Sequence, residues 1–334
     1  MTTSNRQSVL FISPAFFGYE ISIRDAIREN GLDVDYFDER TSNKSLLKAM
    51  FRANKGLLTG LIDQYYKKIL QKIITKKYDF FLLIKGEVVP EWFIIEFKMV
   101  NPYARLVYYT YDSFKNNNSN SVAILKHFNT CYSFDFEDVN KNSSLKLKHL
   151  FYTKEFIPIL PVDSERKYSI SFVGTLHSNR YGTIKTLFQN FDETFIFYYL
   201  PAKWWFLLQK FSKKEYKKIK RSEVSFDKLS RQQVANIFRL SKSVLDIQRF
   251  GQAGLTMRTF EVLAAGAILV TTNAYIKTTD FYDADKIIVI DNKDFSSGIA
   301  EIQSKIQNVD YQPKAIEKSF EQYFVTNWVK EFFE

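Results

Sequence analysis

The chain alternates short apolar runs with longer amphipathic segments along its whole length, and this alternation limits its fold more than any other feature. The runs have the length and the β-branched and aromatic content of buried strands, and the segments between them have helical length and spacing. Strand–helix alternation predicts a parallel sheet with helices on both faces. The strands predicted in the first half are SVLFISPAF, DVDYFDE, YDFFLLIKGE, RLVYYTYDS and TCYSFD.

The helices of the first half are predicted between these strands. Gly31 ends the helix YEISIRDAIREN, a long helical region covers Ser42 to Lys77, and Pro90 suits the first turn of PEWFIIEFKMVNP. The polar segment KNNNSNS, which starts at Lys115, predicts a mobile loop.

The pattern restarts after the segment FIPILPVDSERK, where Pro158 and Pro161 mark a boundary. Five further strands are predicted, and Ser230 with Gln233 forms a capping box for the helix between FIFYYL and SVLDIQ. A chain of 334 residues has room for two domains of roughly 150 residues each. The predicted second-half strands are YSISFVGT, FIFYYL, SVLDIQ, AILVTT and KIIVI.

These patterns predict an α/β protein with two doubly wound, Rossmann-like domains that face each other across a cleft. We expect the first domain at residues 1–160, the second at 161–315, and a C-terminal helix at 316–334 that crosses back to the first domain. Ligands of doubly wound domains bind outside the carboxyl ends of the strands.

Composition excludes several classes of site. The single cysteine, Cys131, excludes an intramolecular disulfide, and without a CxxC or a His/Cys cluster no zinc site is predicted. The first residues lack the layout of a signal peptide, and no apolar stretch approaches the ~20 residues of a membrane span. We therefore expect a cytoplasmic protein. Its net charge of +10 suits nucleic acid, anionic lipid or a phosphorylated small molecule.

The segment GQAGLTMRTFEVLAAGAILVTTN has the composition of an anion site. Gly251 and Gly254 open the backbone where a predicted helix begins, and the N–H groups and dipole of a helix start suit a phosphate. Arg258 and Glu261 share one face of that helix, which Gly266 ends. A glutamate there can accept two ribose hydroxyls. The alternative interpretation is an ordinary helix start with a surface ion pair.

A second segment, SFVGTLHSNRYGTIKTL, repeats this layout. Gly174 and Thr175 end a strand, and His177 and Arg180 follow where the next helix begins. Two phosphate-type loops in one doubly wound domain indicate one nucleotide held between them.

The second half resembles the donor domain of GT-B glycosyltransferases, the group that includes families GT4 and GT1. The segments that carry the resemblance are SFVGTLHSNRY, SKSVLDIQ, GLTMRTFEVLAAGAILVTTN and DFYDADKIIVID. They are most similar to the branch related to the spore protein CgeB and to bacterial lipopolysaccharide and capsule transferases. In the first half, DFFLLIKGEVVP, LVYYTYDSF and CYSFDFEDV also match in style. The resemblance is weak over residues 40–75 and 190–225.

This resemblance implies a nucleotide-sugar donor site. Glu261 would bind the ribose, the amides of Gly254, Leu255 and Thr256 would bind the diphosphate, and Gly174, Thr175 and Arg180 would line its other side. Many GT4 members carry an E-x7-E pattern, but here Gln248 or Gln252 stands near the first acid, so their retaining mechanism does not carry over. The donor-binding set is Gly174, Thr175, His177, Arg180, Gln252, Gly254, Leu255, Thr256, Arg258 and Glu261.

An inverting transferase also needs a base for the acceptor hydroxyl, which we expect in the first domain. Asp112 in YYTYDSF is the first candidate, Glu87 in LLIKGEVVP the second, and Glu20 after the PAFFGY loop the third. Each could instead be a helix cap or a loop ion pair. The acceptor set is Phe17, Gly18 and Lys85, where Lys85 could pair with Glu87 or hold an anionic acceptor.

Metal and cofactor are not expected. The string DAD, Asp283 to Asp285, resembles the metal-binding D-x-D of the other glycosyltransferase fold, GT-A, but it lies between a helix-like run and a strand. A solvated loop is the better interpretation.

The segment KWWFLLQKFSKKEYKKIKR, Lys203 to Arg221, combines aromatic with basic residues. Such a helix suits an anionic membrane surface and would place a transferase on a lipid-linked saccharide. The alternative is a core helix followed by a solvated basic tail.

Three functions remain. The first is a glycosyltransferase that moves a sugar from a nucleotide donor to a growing surface polysaccharide or lipopolysaccharide. The second is a GT-B-fold protein that binds a nucleotide sugar or saccharide without turnover. The third, a nucleic-acid binder, rests on charge alone, and because no recognition motif is present we expect no nucleic-acid partner.

Overall fold

The computed structural model describes residues 6–40, 59–115, 119–158, 166–176, 178–248, 253–291, 294–308 and 318–334, with the backbone alone at 119 and 178–180. The chain forms two compact units. The first unit comprises the described parts of Met1–Leu150, Gln252–Gly254 and Gln322–Glu334. The second comprises those of Phe151–Gly251 and Leu255–Glu321.

The first unit contains a six-stranded parallel sheet in the order β2-β1-β3-β4-β5-β6. Five of the strands confirm the sequence prediction, whereas β6 was not predicted because it is only three residues long. The strands are β1 Ser8–Ser13, β2 Asp33–Asp38, β3 Phe80–Ile84, β4 Arg105–Thr110, β5 Thr130–Ser133 and β6 Leu145–Leu147.

Helices connect these strands. Gly31, with a φ of 81°, follows the end of the helix Tyr19–Glu29 as predicted, whereas Pro90 stands just before the helix Glu91–Val100 rather than within its first turn. Of the predicted helical region, residues 42–58 lie outside the described residues, as do Asn116–Asn118 of the polar loop. The helices are α1 Tyr19–Glu29, α2 Thr59–Ile73, α3 Glu91–Val100, α4 Ser119–Ala123 and α5 Phe136–Lys141.

The C-terminal residues pack within the first unit. A short helix, α12 (Val325–Trp328), places the indole N–H of Trp328 against the carbonyl of His149 at 2.8 Å. The ammonium of Lys148 lies 4.9 Å from the centre of the Phe332 ring and forms an ion pair with Glu331. Cation–π contact and ion pairing therefore hold the last residues of the chain in place.

The second unit contains another six-stranded parallel sheet, in the order β12-β11-β10-β7-β8-β9. The two-residue strand β9 was not predicted, and the other five confirm the prediction. The strands are β7 Tyr168–Thr175, β8 Thr194–Tyr199, β9 Val224–Ser225, β10 Ser241–Asp246, β11 Ile268–Thr271 and β12 Ile287–Val289.

Its helices also follow from the sequence. Ser230 and Gln233 form the predicted capping box of the helix Arg231–Arg239, and Gly266, with a φ of 70°, follows the helix Met257–Ala264. The predicted basic aromatic segment forms two helices, Lys203–Ser212 and Lys214–Lys217, rather than one. The helices are α6 Ser178–Phe188, α7 Lys203–Ser212, α8 Lys214–Lys217, α9 Arg231–Arg239, α10 Met257–Ala264 and α11 Ile299–Asn308. Across the described ranges, no helix combines the length and the apolar composition that a membrane span requires.

Each sheet has one switch point, a pair of adjacent strands from which the chain continues to opposite sides of the sheet. In the first unit it lies between β1 and β3, and in the second between β7 and β10. In open parallel sheets this is where the carboxyl ends of strands leave a crevice for ligands. Both units therefore confirm the predicted doubly wound α/β architecture, and each offers one position for a site.

Candidate functional site

The switch point of the second unit is built around Asp246, the last residue of β10. Its side chain is buried, and one carboxylate oxygen lies 2.9 Å from Nη1 of Arg258. The other oxygen accepts hydrogen bonds from the hydroxyls of Thr256 at 2.7 Å and Thr259 at 3.3 Å. One buried carboxylate thus fixes the start of α10 and the direction of its arginine.

The start of α10 has the features predicted for an anion site. Thr256 is the N-cap residue, but its hydroxyl donates to Asp246 and makes no capping bond. The first N–H groups of any helix lack partners within that helix, and its dipole makes this end positive. Glu261 lies one turn further along, and both it and Leu255 are buried.

Gly174 brings the end of β7 against the same arginine. A Cβ built on Gly174 would lie 2.8 Å from Cζ of Phe172 and 3.5 Å from Nη2 of Arg258. The Arg258 guanidinium lies 5.8 Å from the centre of the Phe172 ring. The structure therefore brings the end of β7 against the arginine of α10, with Thr175 exposed beside Gly174.

Three predicted donor-binding groups lie outside the described residues. His177 and Gln252 are not described, and the side chain of Arg180 is not described either.

Gly254 has a role that the sequence did not indicate. Its backbone N–H and that of Ala253 donate to one carboxylate oxygen of Asp135, at 3.2 and 3.1 Å. A Cβ on Gly254 would lie 2.5 Å from the ring of Phe134 and 2.9 Å from its carbonyl oxygen. The glycine is required for close backbone approach, and its amide donates to a protein carboxylate in this structure.

In the first unit, the candidate residues gather on the turn that follows β3. Lys85 has a φ of 80° and Gly86 a φ of 68°, and such a conformation is strained for a lysine. A Cβ on Gly86 would lie 2.8 Å from Cδ1 of Ile124. The hydroxyl of Tyr108 donates to the Lys85 carbonyl at 2.7 Å, and the side-chain amide of Asn120 donates to the Gly86 carbonyl at 3.1 Å. The surrounding fold thus holds this turn in place.

Four charged side chains meet at this turn. The ammonium of Lys85 lies 3.1 Å from Asp112 and 3.2 Å from Glu87, and Arg40 lies 2.9 Å from Glu87. Burial alone would raise the pKa of Glu87, but Lys85 and Arg40 hold it below its usual value. Asp112 is the more accessible carboxylate, since its side chain is 33% exposed and that of Glu87 is 21% exposed.

Glu39 and Tyr111 complete this cluster, and neither was predicted. Glu39 is fully buried, and its Oε1 accepts the N–H of Val88 at 2.8 Å. Oε2 of Glu39 and the hydroxyl of Tyr111 are buried without a hydrogen-bond partner among the described residues. A buried polar atom without a partner is uncommon and costly, so it calls for a functional explanation.

Phe17 and Gly18 lie in the loop after β1, and Glu20 lies in the first turn of α1, which follows that loop. The Glu20 carboxylate is buried and accepts the N–H of Phe16 at 2.9 Å, so it stabilises this loop. Phe17 has a φ of 54° and Gly18 a φ of 77°, and the side chain of Phe17 is exposed. The rings of Phe16 and Tyr111 stack with centres 5.7 Å apart.

The residues missed by sequence reasoning share one signal. Asp246, Glu39 and Asp135 are each acids at or just after the end of a strand, where the carboxyl ends of a parallel sheet gather its polar groups. Arg40 directly follows Glu39, so it also lies just after the end of β2. The same signal led to the prediction of Asp112 and Glu87 as site residues, and it could also have identified Asp246, Glu39, Asp135 and Arg40.

Over the described part of the chain, no three His, Cys, Asp or Glu side chains come together in a way that could hold a metal ion. In the DAD string, the Asp283 carboxylate accepts the backbone N–H of Asp285 at 2.9 Å and forms an ion pair with Lys286. Both contacts are those of a surface turn.

Part of the chain matches a known sequence family. Residues 210–323 match the sequence family described as "Glycosyl transferase-like". A search of curated proteins gives no match.

Three solved structures share the fold over nearly the whole length. The Anabaena protein HepE in complex with UDP and glucose has a TM-score of 0.58 at 11% identity, and the alignment covers 98% of this chain and 99% of that chain. AviGT4, a glycosyltransferase involved in avilamycin A biosynthesis, has a TM-score of 0.61 at 9% identity, with coverage of 98% and 96%. A UDP-N-acetylglucosamine 2-epimerase has a TM-score of 0.56 at 10% identity, with coverage of 98% and 95%.

At sequence identities this low, the structural likeness establishes the fold and does not establish the reaction. The two six-stranded parallel sheets match the architecture of these neighbours. The chain therefore has the fold of the GT-B glycosyltransferases, and its residues 210–323 match the glycosyl transferase-like family.

Proposed function

We propose that the protein is a glycosyltransferase that moves a sugar from a nucleotide-diphosphate donor to a growing surface polysaccharide or lipopolysaccharide. One observation carries this proposal. Gly174 and Arg258 meet at the switch point of the second unit, at the start of a helix that also bears the buried Glu261. Arg258 and Glu261 both lie within the segment that matches the glycosyl transferase-like family.

In this proposal the second unit binds the donor. Glu261 accepts the two ribose hydroxyls, and Arg258 with the first amides of α10 binds the diphosphate. Asp246 keeps the guanidinium in place through Nη1. Positive groups that are already oriented stabilise the charge that develops on a leaving diphosphate. UDP is the first nucleotide to test, because HepE was solved with UDP and glucose.

The first unit supplies the base. The Asp112 carboxylate takes the proton of the acceptor hydroxyl, and the hydroxyl oxygen forms the new bond to the anomeric carbon. The bond from that carbon to the phosphate oxygen breaks, and its electron pair leaves with the nucleoside diphosphate. This direct displacement inverts the configuration of the sugar. Glu87 and Glu20 are the second and third candidates for the base.

A lipid-linked acceptor is supported by the surface of α7. Trp204, Leu207, Leu208 and Phe211 recur at helical spacing and are all exposed, with Trp204 68% and Phe211 85% accessible. Exposed Lys213 and the lysines of α8 follow directly. An apolar stripe bordered by lysines suits the headgroup region of an anionic bilayer, which would place the enzyme on the inner face of the plasma membrane.

The test is a thermal-shift screen against nucleotide sugars, followed by a transfer assay. A ligand at about 100 times its dissociation constant adds about 2.7 kcal/mol of stability, which is readily measured. We expect a UDP-sugar to stabilise the protein and to be consumed with release of UDP. Binding without turnover would instead support a saccharide- or nucleotide-sugar-binding protein. Conversion of the sugar without an acceptor and without UDP release would indicate an epimerase.

A further inference from the structure

The side chain of Glu39 is buried, and hydrogen bonds fix its backbone and one of its two carboxylate oxygens. Its N–H donates to the Ser13 carbonyl at 3.1 Å, and its own carbonyl accepts the hydroxyl of Tyr66 at 2.9 Å. Oε1 accepts the N–H of Val88, which directly follows the turn bearing Lys85 and Glu87. The side chain therefore cannot turn away from the charged cluster without breaking this hydrogen bond.

The remaining oxygen, Oε2, is buried and has no partner among the described residues. An ionised carboxylate oxygen in such a position loses its hydration without compensation, whereas a protonated one loses much less. The titratable groups that interact with Glu39 come from the segment that follows β2, from the turn after β3, from α2, and from β4 and the residue that follows it. They are Arg40, Lys85, Glu87, Tyr66, Tyr108 and Tyr111.

We propose that Glu39 is a positioning residue that holds a proton beneath the Lys85–Glu87 turn, and that the loss of this proton makes the charged cluster at this turn a stronger base. The inference rests on the proposed function, since it assigns acceptor activation to this cluster. With Glu39 neutral, the carboxylates of Glu87 and Asp112 balance the charges of Lys85 and Arg40. With Glu39 ionised, the cluster carries one additional negative charge.

The titration range of Glu39 makes this effect relevant near neutrality. Burial raises the pKa of Glu39 to about 7, with a further contribution from Glu87, against the lowering effects of the Val88 N–H, Arg40 and Lys85. An added negative charge raises the proton affinity of neighbouring carboxylates. The cluster would thus become a better base as pH rises through this range.

The experiment compares the pH profile of kcat/KM for sugar transfer in the parent and in Glu39→Gln. We expect the parent rate to rise by about three- to tenfold between about pH 6 and pH 8, with a midpoint near 7. In Glu39→Gln that rise should be lost, because the amide stays neutral and keeps an oxygen for Val88. Asp35→Asn is the matched control, since it removes an ion-paired carboxylate of β2 outside the cluster and should keep the rise.

A rise that persists unchanged in Glu39→Gln would overturn the inference. If Glu39→Gln does not fold, Arg40→Gln should shift the midpoint to higher pH, and an unshifted midpoint would also overturn it. Transfer that is absent from the parent would instead refute the proposed function.

Urea unfolding separates these outcomes without an activity assay. A carboxyl whose folded pKa lies above its unfolded value of 4.5 stabilises the fold fully below about pH 4.5, and this contribution is lost as pH rises to about 7. The parent should therefore lose stability relative to Glu39→Gln between about pH 5 and pH 8. An equal pH dependence in both proteins would show that Glu39 does not hold the proton.

Discussion

Single side chains carry most of the proposed chemistry, and a substitution of Glu261 tests it most directly. It is buried one helical turn beyond the start of α10, and it is proposed to accept two ribose hydroxyls. Hydrogen bonds to a charged group contribute about 1.5–3 kcal/mol each, so the loss of one corresponds to about a ten- to hundredfold change in affinity. We expect Glu261→Ala to weaken nucleoside diphosphate binding by at least this factor and to keep the fold, as measured by isothermal calorimetry and circular dichroism.

The matched control for Glu261 is Glu301→Ala. Glu301 lies on α11 of the same unit and pairs with Lys305 on the surface. The Glu301→Ala substitution should leave nucleotide affinity unchanged. Parent-like affinity in a folded Glu261→Ala protein would remove the ribose role from Glu261.

Asp112 is the second residue on which the mechanism depends. A general base contributes about 10²–10⁴-fold to the rate, so Asp112→Asn should lower kcat by that factor while donor KM changes little. Steady-state kinetics with the donor varied provides this measurement. Asp25→Asn, which removes a surface carboxylate of α1 paired with Arg24, is the control. A loss below about tenfold would transfer the role to Glu87 or Glu20.

At the scale of elements, α7 shows how one helix divides its aromatic residues. Phe206 is buried and Trp205 packs against the core of the second unit, whereas Trp204, Leu207, Leu208 and Phe211 face outward. The buried face of α7 thus agrees with the core-helix interpretation, and the membrane proposal rests on the exposed face of the same helix.

We expect the protein to sediment with anionic liposomes at low salt and to be released at high salt. Each lysine near such a surface contributes about 1 kcal/mol, and salt screens this attraction. A variant with Trp204 and Phe211 changed to Ser, and with Lys213, Lys214, Lys217 and Lys218 changed to Gln, should stay in the supernatant. The control changes Lys67, Lys68, Lys72 and Lys76 on and after α2 to Gln, which gives the same charge loss elsewhere. Equal sedimentation of the two variants would show that α7 does not bind the membrane.

At the scale of the whole molecule, we predict that the proposed reaction needs no metal ion. In the proposal, Arg258 and the amides of α10 supply positive charge at the diphosphate, which is the role that a divalent cation performs in other enzymes. We expect transfer to proceed at its full rate in excess EDTA, and a loss that Mg²⁺ or Mn²⁺ restores would refute this. NMR of the product should show an inverted anomeric centre. Retention would indicate that the donor phosphate, rather than Asp112, assists the acceptor.

The sequence by itself determined the architecture. Strand–helix alternation depends on local periodicity, and it predicted ten of the twelve strands that the structure describes, missing only β6 and β9, which are too short to show a period. The helix boundaries at Gly31, Ser230 and Gly266 were also readable, because caps and left-handed residues act within a few positions along the chain.

Only the tertiary structure decided which polar groups meet. Asp246 reaches Arg258 across twelve positions, Arg40 reaches Glu87 across forty-seven, and Asp135 reaches Gly254 across more than a hundred. Periodicity carries no information at such separations. The protonation of Glu39 depends on burial and on charges contributed by other strands, so it follows from the sheet order and from no single segment. The sequence therefore placed acids at strand ends, and the fold decided which of them is buried, which is paired and which is accessible.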